Sequence, residues 1–212
     1  MSDAAFERVL AGFRQRIETE DARMRVLKDN KADMQGQRDS LLLPVGEDVA
    51  RLLVDLAVGL RARTIFELGS SFGYSTLFLA EAARRTGGRL VSFEIHAAKQ
   101  AYARERIAEA GLAGQVEWRL GDAVELLKSE KGPVDLVLLD LWKDLYVPCL
   151  DLVYPLLSSR GAIVADNMLY PEFSRPDARV YRAAVRAKAA MQAVLLPIGQ
   201  GIDLACRYTD SA

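Results

Sequence analysis

The sequence predicts an α/β protein built on a seven-stranded, mostly parallel sheet whose last strand runs antiparallel, with helices on both faces. Three observations carry this. Short apolar runs (TIFELG, RLVSFE, QVEWRL, VDLVLLD, GAIVAD) alternate with stretches of helical periodicity, the pattern of strand–helix–strand crossovers in a parallel sheet. Several runs are apolar at nearly every position, as strands buried on both faces must be. The last two runs, AVLLPI and IDLACR, are joined only by GQG, and so short a link permits only an antiparallel hairpin.

The elements follow in order. Phe6, Val9, Leu10, Phe13 and Ile17 recur at helical spacing and predict a helix over residues 4–28. KDNKADMQGQRDS is polar, contains glycine and reads as a loop. After Pro44 a second helix presents Val49, Leu52, Leu53, Leu56 and Leu60 on one face. TIFELG is the first strand, and YSTLFLAEAARRTG is a helix closed by Gly87 and Gly88. RLVSFE is a strand, AAKQAYARERIAEAG a helix and QVEWRL a strand. Asp122 caps a short helix, DAVELLKSEK. VDLVLLD leads to a helix over 144–157, and GAIVAD to a loop with Tyr170, Pro171, Phe173 and Pro176. A helix over about 177–189 precedes the hairpin. No repeat or low-complexity stretch divides the chain. The expectation is one domain over 1–212, with 1–60 a helical extension and 61–212 the sheet core.

Composition narrows the function. Half of the 212 residues are hydrophobic and 27% are charged, and 28 bases against 29 acids leave a net charge of -1. That balance gives no global reason to expect nucleic acid, though a local basic patch stays open. Cys149 and Cys206 lie in apolar runs and read as reduced core thiols. MSDAAFERVL lacks the apolar core of a signal peptide, and no run approaches the roughly 18–20 apolar residues of a membrane span. A cytoplasmic protein with no membrane partner is expected.

In a parallel sheet, ligands bind outside the carboxyl ends of the strands. The first strand runs into ELGSSFGYS, residues 67–75. Gly69 and Gly73 bracket a turn before a helix, where glycine lets backbone approach a ligand. The spacing is G-x-x-x-G, not the G-x-G-x-x-G of dinucleotide sites. The wider loop suits a ligand without a pyrophosphate, such as the amino-acid part of S-adenosylmethionine, although a turn that binds nothing has the same form. Glu94 ends the second strand and could accept from both ribose hydroxyls. Ile95 could pack on an adenine face. In Gly121-Asp122-Ala123, at the end of the third strand, Asp122 could face the adenine amine or serve only as a cap. His96, the only histidine, has no second histidine or cysteine beside it in sequence and reads as a partly exposed loop residue near the adenine rather than a zinc ligand.

Asp140 ends the fourth strand, and Asp166 and Asn167 end the fifth. Adjacent strands lie about 5 Å apart, so two carboxylates and an amide oxygen can converge. These are hard ligands, suited to Mg²⁺ or a similar divalent ion with positions left for water or substrate. The alternative is a simple turn at Asp166-Asn167 with Asp140 capping the next helix.

ELGSSFGYS, Glu94, LLDLWKDLY and VADN together resemble the cation-dependent class I O-methyltransferases that use S-adenosylmethionine, the catechol O-methyltransferases and the caffeoyl-CoA-type enzymes. PVGEDVARLLVDLAVGLRARTIFELG resembles the catechol branch, and LLPIGQGIDL the caffeoyl-CoA and bacterial branch. The resemblance spans roughly residues 35–208. It implies a Rossmann-like class I methyltransferase fold. It implies Asp140, Asp166 and Asn167 as metal ligands and Lys143 as general base. Glu67, Gly69, Ser71, Gly73, Tyr74, Ser75, Glu94, Asp122, Ala123 and Asp140 would surround the cofactor, with Val45 near its methionine end. It also implies a homodimer. One departure is Leu141, where the catechol enzymes commonly carry a histidine against the adenine.

The implied reaction is methyl transfer to one hydroxyl of a vicinal diphenol such as a catechol, caffeoyl or flavonoid-like molecule. A free phenol has a pKa near 10, and Lys143 would have to fall by roughly 2–3 from about 10.4 to act as base near neutrality. That costs about 3–4 kcal/mol, plausible beside a metal in a partly desolvated site. A surface ion pair with Asp144 is the other reading of Lys143. Trp142 and the aromatics of the 170–173 loop are candidate walls for a flat acceptor. Three rivals keep part of this pattern: methylation of a hydroxylated uridine in tRNA, with Arg175, Arg179, Arg182 and Arg186 meeting phosphates; an NAD-binding oxidoreductase, against which the glycine spacing argues; and a non-catalytic binding protein on the same scaffold, which would leave Asp140, Asp166, Asn167 and Lys143 without purpose.

Overall fold

The chain is described by a computed structural model that defines the backbone of residues 3–27 and 40–208 and the side chains of residues 4–21 and 40–208. The loop expected at KDNKADMQGQRDS lies almost wholly outside the described residues. Helix α1 spans Asp3–Leu27 and α2 Glu47–Leu60. Strands β1 (Thr64–Leu68), β2 (Arg89–Glu94) and β3 (Val116–Leu120) alternate with α3 (Tyr74–Thr86) and α4 (Ala97–Glu109). Next come α5 (Ala123–Leu127), β4 (Val134–Leu139), α6 (Tyr146–Val153), β5 (Leu157–Ala165) and α7 (Arg175–Arg186). The chain then forms β6 (Met191–Leu196) and β7 (Ile202–Arg207).

The seven strands form one sheet in the order β3-β2-β1-β4-β5-β7-β6. Strands β1 to β5 pair in parallel, and β7 is antiparallel to both β5 and β6. The hairpin therefore folds as its short link requires, with β7 inserted between β5 and β6. Alternate residues of the central strands feed two separate cores. Ile65, Leu90, Leu136, Leu138 and Val164 pack under α1, α2, α3 and α4. Phe66, Val91, Val137, Leu139 and Ile163 pack under α5, α6 and α7. Burial on both faces is the reason these strands read as continuous apolar runs.

Several boundaries differ from expectation: the helix expected over DAVELLKSEK is only Ala123–Leu127, the one expected over about 177–189 runs Arg175–Arg186, and two others shift at a proline. The helix expected over 144–157 is a 3₁₀ turn, Lys143–Leu145, then α6, then a second 3₁₀ turn, Tyr154–Leu156. Pro155 lacks the N–H that would continue α6 and restricts the residue before it. Strand β5 begins at Leu157, four residues earlier than GAIVAD suggests, because Leu157 pairs with Val134 across an irregularity in the ladder. Strand β6 ends at Leu196, where Pro197 would remove a ladder donor.

Gly73 shows what the glycine loop is for at its far end. It precedes α3 with φ +94°, and a Cβ there would stand 2.8 Å from the Ala103 Cβ of α4. A Gly73→Ala variant therefore meets both backbone strain and overpacking and should lose about 2–4 kcal/mol of stability. Adding Ala103→Gly should return the packing part and leave the strain. Urea denaturation of the single and double variants measures both.

Candidate active site

The carboxyl ends of β1 to β5 open onto a cavity of about 630 Å³. Its walls include Gly69, Ser71, Glu94, Ile95, Asp122, Ala123, Asp140, Lys143 and Asn167, nine of the residues singled out in the sequence. They meet because the sheet ladder continues into the loops. Gly69 N donates to Phe93 O at 3.0 Å, Gly121 N to Glu94 O at 2.9 Å, Asp140 N to Leu68 O at 3.0 Å and Asp166 N to Leu139 O at 3.0 Å.

Gly69 sits at φ +94°, and a Cβ there would come within 2.2 Å of the Asp140 carbonyl oxygen. Only glycine lets the β1 loop lie this close to the end of β4. Across the sheet, the Glu94 carboxylate accepts from Ser71 N at 2.8 Å and from His96 N at 2.9 Å. Those bonds aim a largely buried acid at the cavity and tie the first loop to the second. Asp122 is a cap, and its capping role leaves it at the cavity wall. Its Oδ1 caps α5 by accepting from Val124 N at 2.8 Å and Glu125 N at 3.1 Å, and the residue also lines the cavity.

Five other expected cofactor residues lie behind the wall. Glu67 is fully buried and accepts from Ser75 Oγ at 2.6 Å, Thr76 Oγ1 at 2.7 Å and Ser92 Oγ at 2.6 Å. Both Glu67 and Ser75 are thus committed to a bridge between β1, β2 and α3. Tyr74 is buried in ring contact with Phe13 and Phe78, Gly73 serves the packing of α3 on α4, and Val45 belongs to the core under α2. These five support the cavity rather than line it. Conversely, Leu43, Pro44, His96, Lys99, Leu141 and Gln200 do line it. Pro44, His96, Leu141 and Gln200 stood in quoted motifs or beside site residues, whereas Lys99 in the first turn of a helix looks like any surface lysine.

At the other end, Asp140 and Asn167 line the cavity and Asp166 lies just beneath, 1% exposed. Asp166 Oδ1 is buried and has no hydrogen-bond partner among the described residues. Burial raises the pKa of both carboxyls; Asp140 adds to the rise at Asp166, and Lys143 opposes it at both. Asn167 takes a left-handed backbone, φ 57°, which asparagine tolerates. Two carboxylates, one with an orphaned oxygen, and an amide make a hard donor set that fits a divalent cation. No group of three or more His, Cys, Asp or Glu side chains capable of holding a metal occurs among the described residues, so the amide of Asn167 would have to be the third ligand.

Lys143 follows β4 in the 3₁₀ turn, and its Nζ donates to Tyr146 Oη. That hydroxyl, fully buried, lies within hydrogen-bonding distance of the carbonyls of Leu139 (3.0 Å) and Asp166 (3.1 Å). Tyr146 thereby joins Lys143 to the ends of β4 and β5. Trp142 and Phe173 are more than half exposed on the cavity rim. Of the four arginines on α7, Arg175 donates to Leu169 O at 2.9 Å and Arg182 pairs with the buried Asp203 at 2.7 Å. Half of that set is spent inside the fold.

The parallel sheet, its glycine loop and an acid at the end of β2 define an α/β domain of the class that binds an adenosyl cofactor across its strand ends. The comparisons with known proteins agree. A family described as "Methyltransferase domain" matches residues 66–168. The catechol O-methyltransferase of Niastella koreensis is 30% identical over 167 residues, covering 73% of this chain and 75% of that enzyme. Caffeoyl-CoA O-methyltransferase 5 of Nicotiana tabacum is 28% identical across 79% of the chain and 78% of its own length. The Mycobacterium tuberculosis catechol O-methyltransferase is 32% identical, and the match spans only 58% of its length. The cofactor-bound structure of Rv0187 from MTB superposes with a TM-score of 0.73 at 26% identity, covering 79% of this chain and 83% of that one. The chain belongs to the class I S-adenosylmethionine-dependent O-methyltransferase family. Among the described residues no helix is long and apolar enough to cross a membrane.

The buried acid behind the wall yields a test. Burial pushes Glu67 up to about 7 from 4.5, against its three hydroxyl donors, with a smaller push from Asp140. A carboxyl with a raised folded pKa favours the fold most below about 4.5, and that contribution falls as pH rises to about 7. The unfolding free energy of the wild type relative to Glu67→Gln should drop by on the order of 3 kcal/mol across that window. Urea titrations from pH 4.5 to 7.5 measure the difference; a constant offset would refute the assignment.

Proposed function

We propose that this protein transfers the methyl group of S-adenosylmethionine to one hydroxyl of a vicinal diphenol held at a divalent cation. The observation that carries the reading is the grouping of Asp140, Asp166, Asn167 and Lys143 at the ends of two adjacent strands, beside the cofactor loop. The names of the Niastella and Nicotiana relatives support it. When bound, the sulfonium cofactor supplies an electrophilic methyl group and the cation favours the ionised form of a phenol.

The chain's own residues would do the rest. Glu94, held by two backbone amides, keeps acceptor capacity for ribose hydroxyls. Gly69 and Ser71 would bring backbone to the amino-acid end, while Ile95 and Ala123 would face the base and Asp122 its edge. Asp140, Asp166 and Asn167 would hold the cation. Lys143 would take the proton from the acceptor hydroxyl before attack, its head steadied by Tyr146. Trp142 and Phe173 would flank a flat ring and keep water from the reacting atoms. Negative oxygen and positive sulfonium become two neutral products, so the main catalytic demand is alignment of the two reactants.

The experiment is a methylation assay against catechol, caffeoyl and flavonoid acceptors with and without a chelator. Activity should vanish on chelation and return with Mg²⁺. Asp166→Ala should lower kcat at least a hundredfold while S-adenosylhomocysteine binds within a few-fold of wild type. Lys143→Ala should cost about 10²–10⁴ in kcat. Full turnover in thoroughly chelated protein would remove the cation, and unchanged rates in the lysine variant would remove the base.

A further inference from the structure

We propose that Glu20, on helix α1 and outside the cavity, is a positioning residue for the cofactor. It acts through the segment 40–44, which forms a lip of the cavity at Leu43 and Pro44. The inference rests on the cofactor reading alone and is independent of which acceptor is methylated.

The lip is fastened at one residue from both sides. Leu42 N donates to Glu20 Oε2 at 2.6 Å, and Leu42 O accepts from Ser71 Oγ at 3.0 Å. Ser71 in turn donates its backbone N–H to Glu94 Oε2 at 2.8 Å. A continuous chain of hydrogen bonds thus runs from Glu20 through Leu42 and Ser71 to the acid expected to hold the ribose. Glu20 is itself anchored, because its Oε1 accepts from Arg16 Nε at 2.6 Å. Arg16 also donates to Ser40 O at 3.2 Å and lays its guanidinium 3.8 Å over the Phe72 ring, next to Ser71. The two members of this pair are only 22% and 17% exposed.

Next to these attachments, on the lip itself, lies a strained residue. Leu43 has φ 46°, a left-handed backbone that a leucine adopts only under constraint. It is followed by Pro44, whose ring further limits the backbone before it. Such a conformation persists when its surroundings hold it, and the bonds to Glu20 and Ser71 lie one residue upstream. With Glu20 removed, the lip relaxes toward ordinary backbone. The cofactor must then order it again on binding, and that ordering is subtracted from affinity.

The test uses the full-length protein and S-adenosylhomocysteine as probe, with affinity read by calorimetry. Glu20→Ala should weaken binding about tenfold, the loss of one charge-assisted hydrogen bond. Glu20→Gln, which keeps an acceptor for Leu42 N, should recover part of it. Glu18→Ala, on an exposed face of the same helix, should bind as wild type. Ser71→Ala and Glu20→Ala should be non-additive when combined, since both act through Leu42. The acceptor KM at saturating cofactor should not move, and circular dichroism checks that each variant is folded. Wild-type affinity in folded Glu20→Ala would overturn the inference, as would full additivity with Ser71→Ala. Failure of the wild type to bind the probe would overturn the cofactor reading and this inference with it; failure to methylate any diphenol would leave the inference standing.

Discussion

Three central strands pair in a register that sets Leu68, Leu139 and Ala165 side by side, and the site depends on it. The next residue of each strand is Gly69, Asp140 or Asp166, and backbone bonds carry the ladder one step further into those loops. A slip of one residue would turn every side chain to the other face of the sheet and scatter the two acids. Because this sheet is covered on both faces, its strand ends are the place where polar side chains reach solvent without crossing a core. Fold and site are therefore one construction, with Gly69 as its tightest point.

Behind the cavity, buried polar groups hold the wall. Glu67 is paid no solvation by water, and three hydroxyls from α3 and β2 offset that cost. The result is a cross-link between the first two strands and the helix that follows the glycine loop. Tyr146 does similar work at the other end. It accepts from Lys143 and reaches the final carbonyls of β4 and of Asp166. Removing either group would leave buried partners unsatisfied, so the polar interior acts as scaffold for the exposed chemistry.

The fold class was legible because the sheet is parallel and central, and such sheets write themselves as apolar runs between helices. The five parallel strands, the intervening helices and the antiparallel finish could all be read from periodicity and link length. Helix and strand ends were less legible. Pro155 and Pro197 mark them, but the early start of β5 depends on Leu157 finding Val134, a pairing distant in sequence. Among the expected site residues, Gly69, Glu94, Asp122, Asp140 and Asn167 line the cavity because each ends or closely follows a recognisable strand. Glu67, Gly73, Tyr74 and Ser75 were grouped with the cofactor because they share a motif with Gly69 and Ser71. A motif does not say which of its residues face outward: strand alternation puts Glu67 beside Ile65 under α3, and packing of α3 against α1, α2 and α4 turns Gly73, Tyr74 and Ser75 inward.

By itself the sequence determined the periodicities, the glycines where backbone must turn or approach, and the carboxylates that end buried strands. Those are local properties: they follow from backbone sterics and from where an apolar run stops. Only the tertiary structure decided that α1 is tied to Leu42 through Glu20, that Lys143 meets Tyr146, and that Asp166 is buried with an oxygen that has no partner among the described residues. The reason is the same in each case. Such contacts join segments brought together by the burial of two apolar faces, and no local pattern records where the other partner will be.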